Sequence, residues 1–250
     1  MKILITNDDG YRAPGIQALY RELSRVHQVT LVAPDQEKSA VGHGITANSP
    51  LKYERVDLNC GGSGYAVSGT PADCVKLALF DLFQDAPPDM IVSGINAGSN
   101  TGINLNYSGT VGAAREGTLN GITAIAVSIQ YGDVMDFDGT AAYVASMVET
   151  AFNMSLPPGV FLNINIPCIP IKNTLGVKVT RQADNNLAVK FDRRTNPRGR
   201  TYFWYDEMHP VRPEDNTDND ALLANCISIT PIQCDMTAYT VIDALENAGF

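Results

Sequence analysis

Directly after the apolar run Lys2-Ile3-Leu4-Ile5 comes Thr6-Asn7-Asp8-Asp9-Gly10, with two carboxylates side by side. Neighbouring carboxylates repel, so a pair at one spot calls for a cation between them or a shared proton. Oxygen donors of this kind suit a hard divalent ion such as Mg²⁺, Mn²⁺ or Ca²⁺. A plain surface turn is the alternative reading, because Asn and Asp are common turn formers. A second chemistry-bearing stretch runs Gly94-Ile95-Asn96-Ala97-Gly98-Ser99-Asn100-Thr101-Gly102, then Asn104, Asn106 and Tyr107, then Ser108-Gly109-Thr110-Val111-Gly112. Small residues let the backbone approach a ligand closely. Asn side chains offer a neutral oxygen to a metal and an N–H₂ to phosphate oxygens. Ser108-Gly109-Thr110 opens a helix of small residues, a ready anion site. The stretch is not G-x-x-x-x-G-K-[ST], and no G-x-G-x-x-G follows the first strand, so a Walker loop is absent and dinucleotide binding loses support. Ser39, in the polar segment from Gln36 to Pro50, is open to three readings: metal ligand, phosphate donor or turn former. His43, between two glycines of the same segment, is a solvated loop side chain or a general acid.

The elements around these residues bring them to one rim. The first run is apolar and β-branched, which predicts a buried strand. Pro14 suits a first helical turn, and Ile16, Leu19, Tyr20 and Leu23 recur on one helical face. Gln28 to Ala33 predicts a second strand, completing a βαβ unit with a right-handed crossover. Asp8 and Asp9 therefore sit at the carboxyl end of a strand, where open α/β sheets bind ligands. Ser39 follows the second strand and reaches the same rim. Further strands are expected at Leu51 to Leu58, Tyr65 to Ser68, Met90 to Ser93, Thr123 to Ser128, Phe161 to Ile166 and Cys226 to Pro231. One helix starts at Thr70 as N-cap with Pro71 and Asp73 in its first turn, and continues through Phe80. Another spans Gly139 to Met154. From Ile171 the pattern changes to short alternating runs, Leu175 to Thr180, Leu187 to Phe191 and Thr201 to Tyr205, which read as hairpins extending from the core. The basic stretch Arg193 to Arg200 lies between two of them, and the tail from Met236 to Phe250 reads as a closing helix. The expected fold is α/β, a Rossmann-like parallel-sheet core with a protruding β-hairpin and a carboxy-terminal extension. One domain spans 1–250, with a core of about 1–170 plus 226–235, an extension of about 171–225 and a tail of 236–250.

Composition narrows the classes. The chain has 250 residues, 44% hydrophobic and 18% charged, ample for a full core. With 18 basic against 27 acidic residues, net −9, it is unlike a sequence-independent nucleic-acid binder, and no nucleic-acid duplex is expected as partner. If the substrate is an anion it must be brought to two aspartates, a conflict that a bound metal resolves by reversing the local charge. Five scattered cysteines without C-x-x-C read as reduced cytosolic thiols, so the expected location is cytoplasmic. His27, His43 and His209 show no zinc spacing. The amino terminus is too short for a signal h-region, and no stretch approaches a membrane span.

Four groups together resemble the SurE (survival protein E) family of metal-dependent 5′/3′-nucleotidases. They are Ile5 to Tyr11 with Ala13-Pro14-Gly15; Ser39 in its loop; Ser93-Gly94-Ile95-Asn96 with Gly98 and Asn100; and Tyr107 to Ala114. Gly69 to Val75, Asn163 to Pro167 and Ile229-Thr230-Pro231 fit the same family, and the match is patchier after Ile171. Family members often carry Ser-Gly where this chain has Ser39-Ala40. The resemblance implies a phosphomonoesterase that hydrolyses nucleoside 5′- and 3′-monophosphates, with exopolyphosphatase activity as a further expectation. It also implies one divalent cation (Mg²⁺, Mn²⁺ or Ca²⁺) per subunit on Asp8, Asp9, Ser39 and Asn96. Metal-assisted hydrolysis is then the expected chemistry, with Asp8 and Asp9 as catalytic residues and Asn96, Asn100, Ser108, Gly109 and Thr110 on the phosphate oxygens. A covalent phosphate on Asp8 is the rival chemistry. A non-catalytic nucleotide- or phosphate-binding protein is the alternative function, since fold does not fix function. The protruding segment and the resemblance both point to a homodimer or homotetramer with swapped carboxy-terminal elements.

Overall fold

The computed structural model describes residues 1–184, 188–208 and 215–249. Leu187, His209 and Phe250 fall outside them.

Strand β1 (Lys2–Thr6) leads through a short loop into helix α1 (Pro14–Leu23), and β2 (Gln28–Pro34) runs parallel to β1. The hairpin β3 (Tyr53–Asp57) and β4 (Ser63–Val67) follows, then helix α2 (Pro71–Leu77), which runs on into a wider turn at Ala78–Leu82. Next come β5 (Met90–Ala97), helix α3 (Gly109–Leu119), β6 (Thr123–Ile129), helix α4 (Phe137–Asn153) and β7 (Val160–Ile166). The last part holds β8 (Val177–Val179), β9 (Ala188–Thr195), β10 (Thr201–Met208), helix α5 (Asp218–Leu223), β11 (Ile227–Gln233) and helix α6 (Tyr239–Asn247).

Nine strands form one sheet in the order β3-β4-β2-β1-β5-β6-β7-β11-β8. The stretch β4-β2-β1-β5-β6-β7 is parallel throughout. Taken in chain order those six strands have the doubly wound arrangement, in which the winding direction reverses between the first strand and the fourth. Here that switch point lies between β1, which leads into the Asp pair, and β5, which carries Asn96. Side chains on β1 alternate between the two faces. Ile3 and Ile5 join the core under α1 and α4, and Leu4 joins the core under α2 and α3. The central strands are thus buried on both faces, which is why they read as continuous apolar runs.

Two expectations change in detail. β5 does not stop at Ser93: it continues through Gly94 to Ala97, with a register shift against β6 between Ser93 and Asn96. Of the three alternating runs after Ile171, the first supplies β8, which pairs parallel with β11 at the sheet edge. Only the other two form a hairpin, β9-β10, as a separate two-stranded sheet. Helix α6 buries none of its side chains, so the tail is a helix but does not close over its own core.

Asp73 ties the polar loop after β2 to the start of α2. Its carboxylate accepts from the backbone N–H of Thr70 (2.9 Å), the N–H of Thr46 (3.0 Å) and the Thr46 hydroxyl (2.6 Å). Thr70 closes the capping box by accepting from the Asp73 N–H, and its hydroxyl donates to the Gly44 carbonyl. Burial raises the Asp73 pKa, but these hydrogen bonds outweigh it and leave the carboxyl below its ordinary 3.8. A depressed carboxyl stabilises the fold above its unfolded pKa and loses that contribution as pH falls through the folded value. Asp73→Asn should therefore cost about 1–3 kcal/mol at neutral pH. The gap between urea melts of the two proteins should be full above about pH 4 and close as the pH falls further; a gap that persists in strong acid would contradict this assignment.

Candidate active site

The Asp pair crosses the rim in a loop closed by Asn7, whose Nδ2 donates to the Gly10 carbonyl (3.0 Å). Asp8 is 4% exposed. The Thr110 hydroxyl donates to its Oδ1. Burial pushes the Asp8 carboxyl up, opposed by that hydroxyl and by the backbone N–H groups of Thr110 and Gly109. The amino end of α3 is thus spent on Asp8. The positive end of a helix favours a carboxylate there. Such closeness needs a glycine: a Cβ on Gly109 would lie 2.9 Å from Asp8 Cβ, 3.1 Å from Asp8 Oδ2 and 3.1 Å from Pro71 Cγ.

Asp9 is more open. Its Oδ2 accepts from the Ala97 N–H (3.2 Å). Burial and then the Asp8 charge raise its pKa to about 6, with Glu37 adding to the repulsion. Asn96 donates from Nδ2 to the Gly98 carbonyl (2.7 Å). That bond assigns the amide and leaves its Oδ1 as the unengaged acceptor. The Ser39 hydroxyl donates to Glu37 Oε1 (2.6 Å), which spends its proton and keeps oxygen lone pairs available. Asp8, Asp9, Glu37, Ser39, Asn96, Asn100 and Ser108 line one cleft of about 1150 Å³. The structure thus brings together the sequence-predicted Asp8, Asp9, Ser39, Asn96, Asn100 and Ser108.

Gly109 and Thr110 stand apart from that set. Neither lines the cleft, and their donors serve Asp8, so their place is behind the carboxylate. Asn100 is fixed from behind: its N–H donates to Asn165 Oδ1 (2.8 Å), and its carbonyl accepts from Asn163 Nδ2 (2.8 Å). Its own Nδ2 donates to the Ser128 hydroxyl (2.8 Å), leaving one amide hydrogen for a ligand. His43 does not reach the cleft. Its Nε2 lies 2.9 Å from Glu116 Oε2 on α3, and Lys76 Nζ lies 3.0 Å from the other oxygen. A general-acid role for His43 has no geometric support. Sequence reasoning missed Glu37, Tyr131 and Tyr205 as lining residues; none of them carries a motif.

The donor set fits a hard divalent cation. It offers two carboxylates, an amide oxygen and a hydroxyl. Among the described residues no three His, Cys, Asp or Glu side chains converge on one point, so neutral oxygens must complete any coordination shell. The described lining residues include three carboxylates and no Lys, Arg or His. An anionic ligand gains attraction there only from an added cation.

A doubly wound α/β sheet with a carboxylate pair at its switch point defines a class of proteins that hold ligands at the carboxyl rim. The family model described as "Survival protein SurE" matches residues 3–189. A "5′-nucleotidase SurE" of Syntrophobacter fumaroxidans is 47% identical over 246 residues, covering 98% of each chain. The protein of the same name from Heliobacterium modesticaldum is 44% identical over 249 residues, covering 99% of this chain and 91% of that one. The crystal structure of the SurE protein from Aquifex aeolicus superposes with a TM-score of 0.87 at 36% identity over the whole of both chains. This chain belongs to the SurE family.

Gly109→Ala tests the contact that seats Asp8. Ala favours a helix over Gly by about 1 kcal/mol, but the added methyl meets the Asp8 side chain at its base, which cannot swing away. A net loss of about 1–3 kcal/mol is expected in urea melts; a variant as stable as the parent would show that α3 yields without cost.

Proposed function

We propose that this protein is a metal-dependent 5′-nucleotidase that hydrolyses nucleoside monophosphates to nucleoside and inorganic phosphate. The observation that carries the reading is the Asp8–Asp9 pair, held at the switch point of the sheet in a cleft with no cationic side chain among its described lining residues. A pure anion binder would avoid that charge, so the non-catalytic alternative explains less. The names carried by the relatives favour the catalytic reading as well.

We assign the metal to Asp8, Asp9, Ser39 and Asn96. A divalent ion there supplies Lewis-acid polarisation of a phosphoryl oxygen and acidifies a water. Asp8 is the rigid member, clamped by Thr110 and the α3 amides; Asp9 is the open member and faces the reacting group. Ser108 accepts from the Val111 N–H, which frees its hydroxyl proton to donate to a phosphate oxygen. Asn100, anchored by Asn163 and Asn165, offers its remaining amide hydrogen to the same group. Covalent attack by Asp8 ranks lower, because its carboxylate is buried and engaged by α3. The 3′-nucleotidase and exopolyphosphatase activities rest on the family resemblance alone.

A cytoplasmic location accords with five free cysteines. Among the described residues no helix is long and apolar enough to cross a membrane.

Assembly is the second part of the reading. Helix α6 exposes Tyr239, Val241, Ile242 and Leu245, and the hairpin exposes Phe191, Phe203 and Trp204. Apolar faces this extensive are usually covered by a partner, and we infer that a second copy of the chain covers them, as a homodimer or homotetramer.

Two outcomes are expected. EDTA should abolish AMP turnover and Mn²⁺ or Mg²⁺ restore it, while Asp8→Asn or Asp9→Asn should lower turnover on the order of a hundredfold or more; full activity in a verified metal-free preparation would sink the metal assignment. Light scattering at working concentration should give a dimer or tetramer, and a monomer would end the assembly reading.

A further inference from the structure

The cleft has a second group of lining residues that phosphate chemistry does not use. Tyr107 follows the helical turn Gly102–Asn106, Tyr131 follows β6, and Tyr205 stands on β10 of the hairpin. All three line the same cleft as Asp8 and Asp9. They are 52%, 77% and 48% exposed. A single exposed tyrosine needs no explanation. Three from separate segments, around one cavity that also holds the reactive carboxylates, do.

Size and charge identify the ligand that would meet them. At about 1150 Å³ the cleft exceeds the roughly 300–1,000 Å³ of common small-molecule sites, far more than one phosphate fills. The part of the substrate beyond the phosphate meets no Lys, Arg or His among the described lining residues. A further phosphate, as in a polyphosphate chain, would find no cationic side chain among the described lining residues. A flat, uncharged heterocycle would find aromatic rings. The Tyr205 ring is braced edge-on by Phe191, with centroids 5.7 Å apart, so part of the surface is in place before a ligand arrives.

We propose that Tyr107, Tyr131 and Tyr205 form a stacking subsite for the nucleobase of the substrate. This rests on the nucleotidase reading of the cleft and adds the group that tells a nucleotide from a bare sugar phosphate. Stacking tolerates any base because every base has a π-face. The subsite therefore selects nucleotides as a class and discriminates weakly among bases.

The test uses the full chain with Mn²⁺ and compares AMP, CMP and ribose 5-phosphate. In Tyr131→Ala and Tyr205→Ala, the ratio of kcat/KM for AMP to that for ribose 5-phosphate should fall about tenfold. The change should lie in KM, CMP should follow AMP, and Tyr131→Phe and Tyr205→Phe should restore the ratio. An unchanged ratio in both alanine variants, or Phe variants as poor as Ala, would overturn the proposal. Failure of the parent protein to hydrolyse either ester would overturn the nucleotidase reading instead. Calorimetry of adenosine, which has no ester to hydrolyse, on the parent and on Tyr131→Ala then decides the subsite alone: weaker binding in the variant supports it, and equal affinity overturns it.

Discussion

Repulsion among carboxylates at the rim is the constraint on which the rest of this structure depends. Asp8 and Asp9 are consecutive, Asp8 is buried, and Glu37 stands close enough to add to the strain on Asp9. A protein fold does not keep such a cluster for stability, because each charge raises the cost of the others. The surroundings offset part of the cost at Asp8, whose carboxyl burial still pushes up, and leave Asp9 with little help. Thr110 and the amides that open α3 stabilise the Asp8 charge, whereas Asp9 has one backbone donor and a pKa of about 6. The remaining imbalance is what a divalent cation would neutralise.

The architecture follows from holding that cluster in one geometry. The doubly wound sheet opens a crevice between β1 and β5, and the chain brings Asp9 and Asn96 there from its two sides. Helix α3 approaches from behind, and only glycine at position 109 permits the distance. A second glycine, Gly112, lets the Ser39 loop lie on the same helix: a Cβ there would fall 2.5 Å from the Gly42 carbonyl oxygen. Glu116 on α3 grips His43 of that loop, so α3 positions both Asp8 and the segment that carries Ser39. The Asn163–Asn165–Asn100 network performs the same service across β7.

Local signals made much of this legible in the sequence. The apolar run before Asp8, the Pro14 start of α1, the Thr70 cap and the Ser108 cap all depend on neighbours within a few residues, and all stand where the spacing puts them. Long-range contacts were not legible in the same way. Gly94 looks like a strand breaker, yet β5 continues past it, because pairing with β6 resumes at Asn96 and Ala97 after a register shift. Gly109 and Thr110 look like free anion donors until Asp8, about a hundred residues away in sequence, occupies them. Alternation alone groups β8 with the hairpins, because it does not reveal the partner, β11. Tyr131 and Tyr205 carry no motif, and only the fold brings them to the cleft.

The Asp pair at the switch point supplies two of the four donors that we assign to a divalent cation. The most direct measurement is anomalous diffraction from crystals soaked in Mn²⁺, collected at the manganese edge. One strong peak per chain is expected, enclosed by Asp8, Asp9, Ser39 and Asn96, and lost in Asp9→Asn crystals soaked identically. A map with no peak at this rim, or with its peaks elsewhere on the chain, would contradict that assignment.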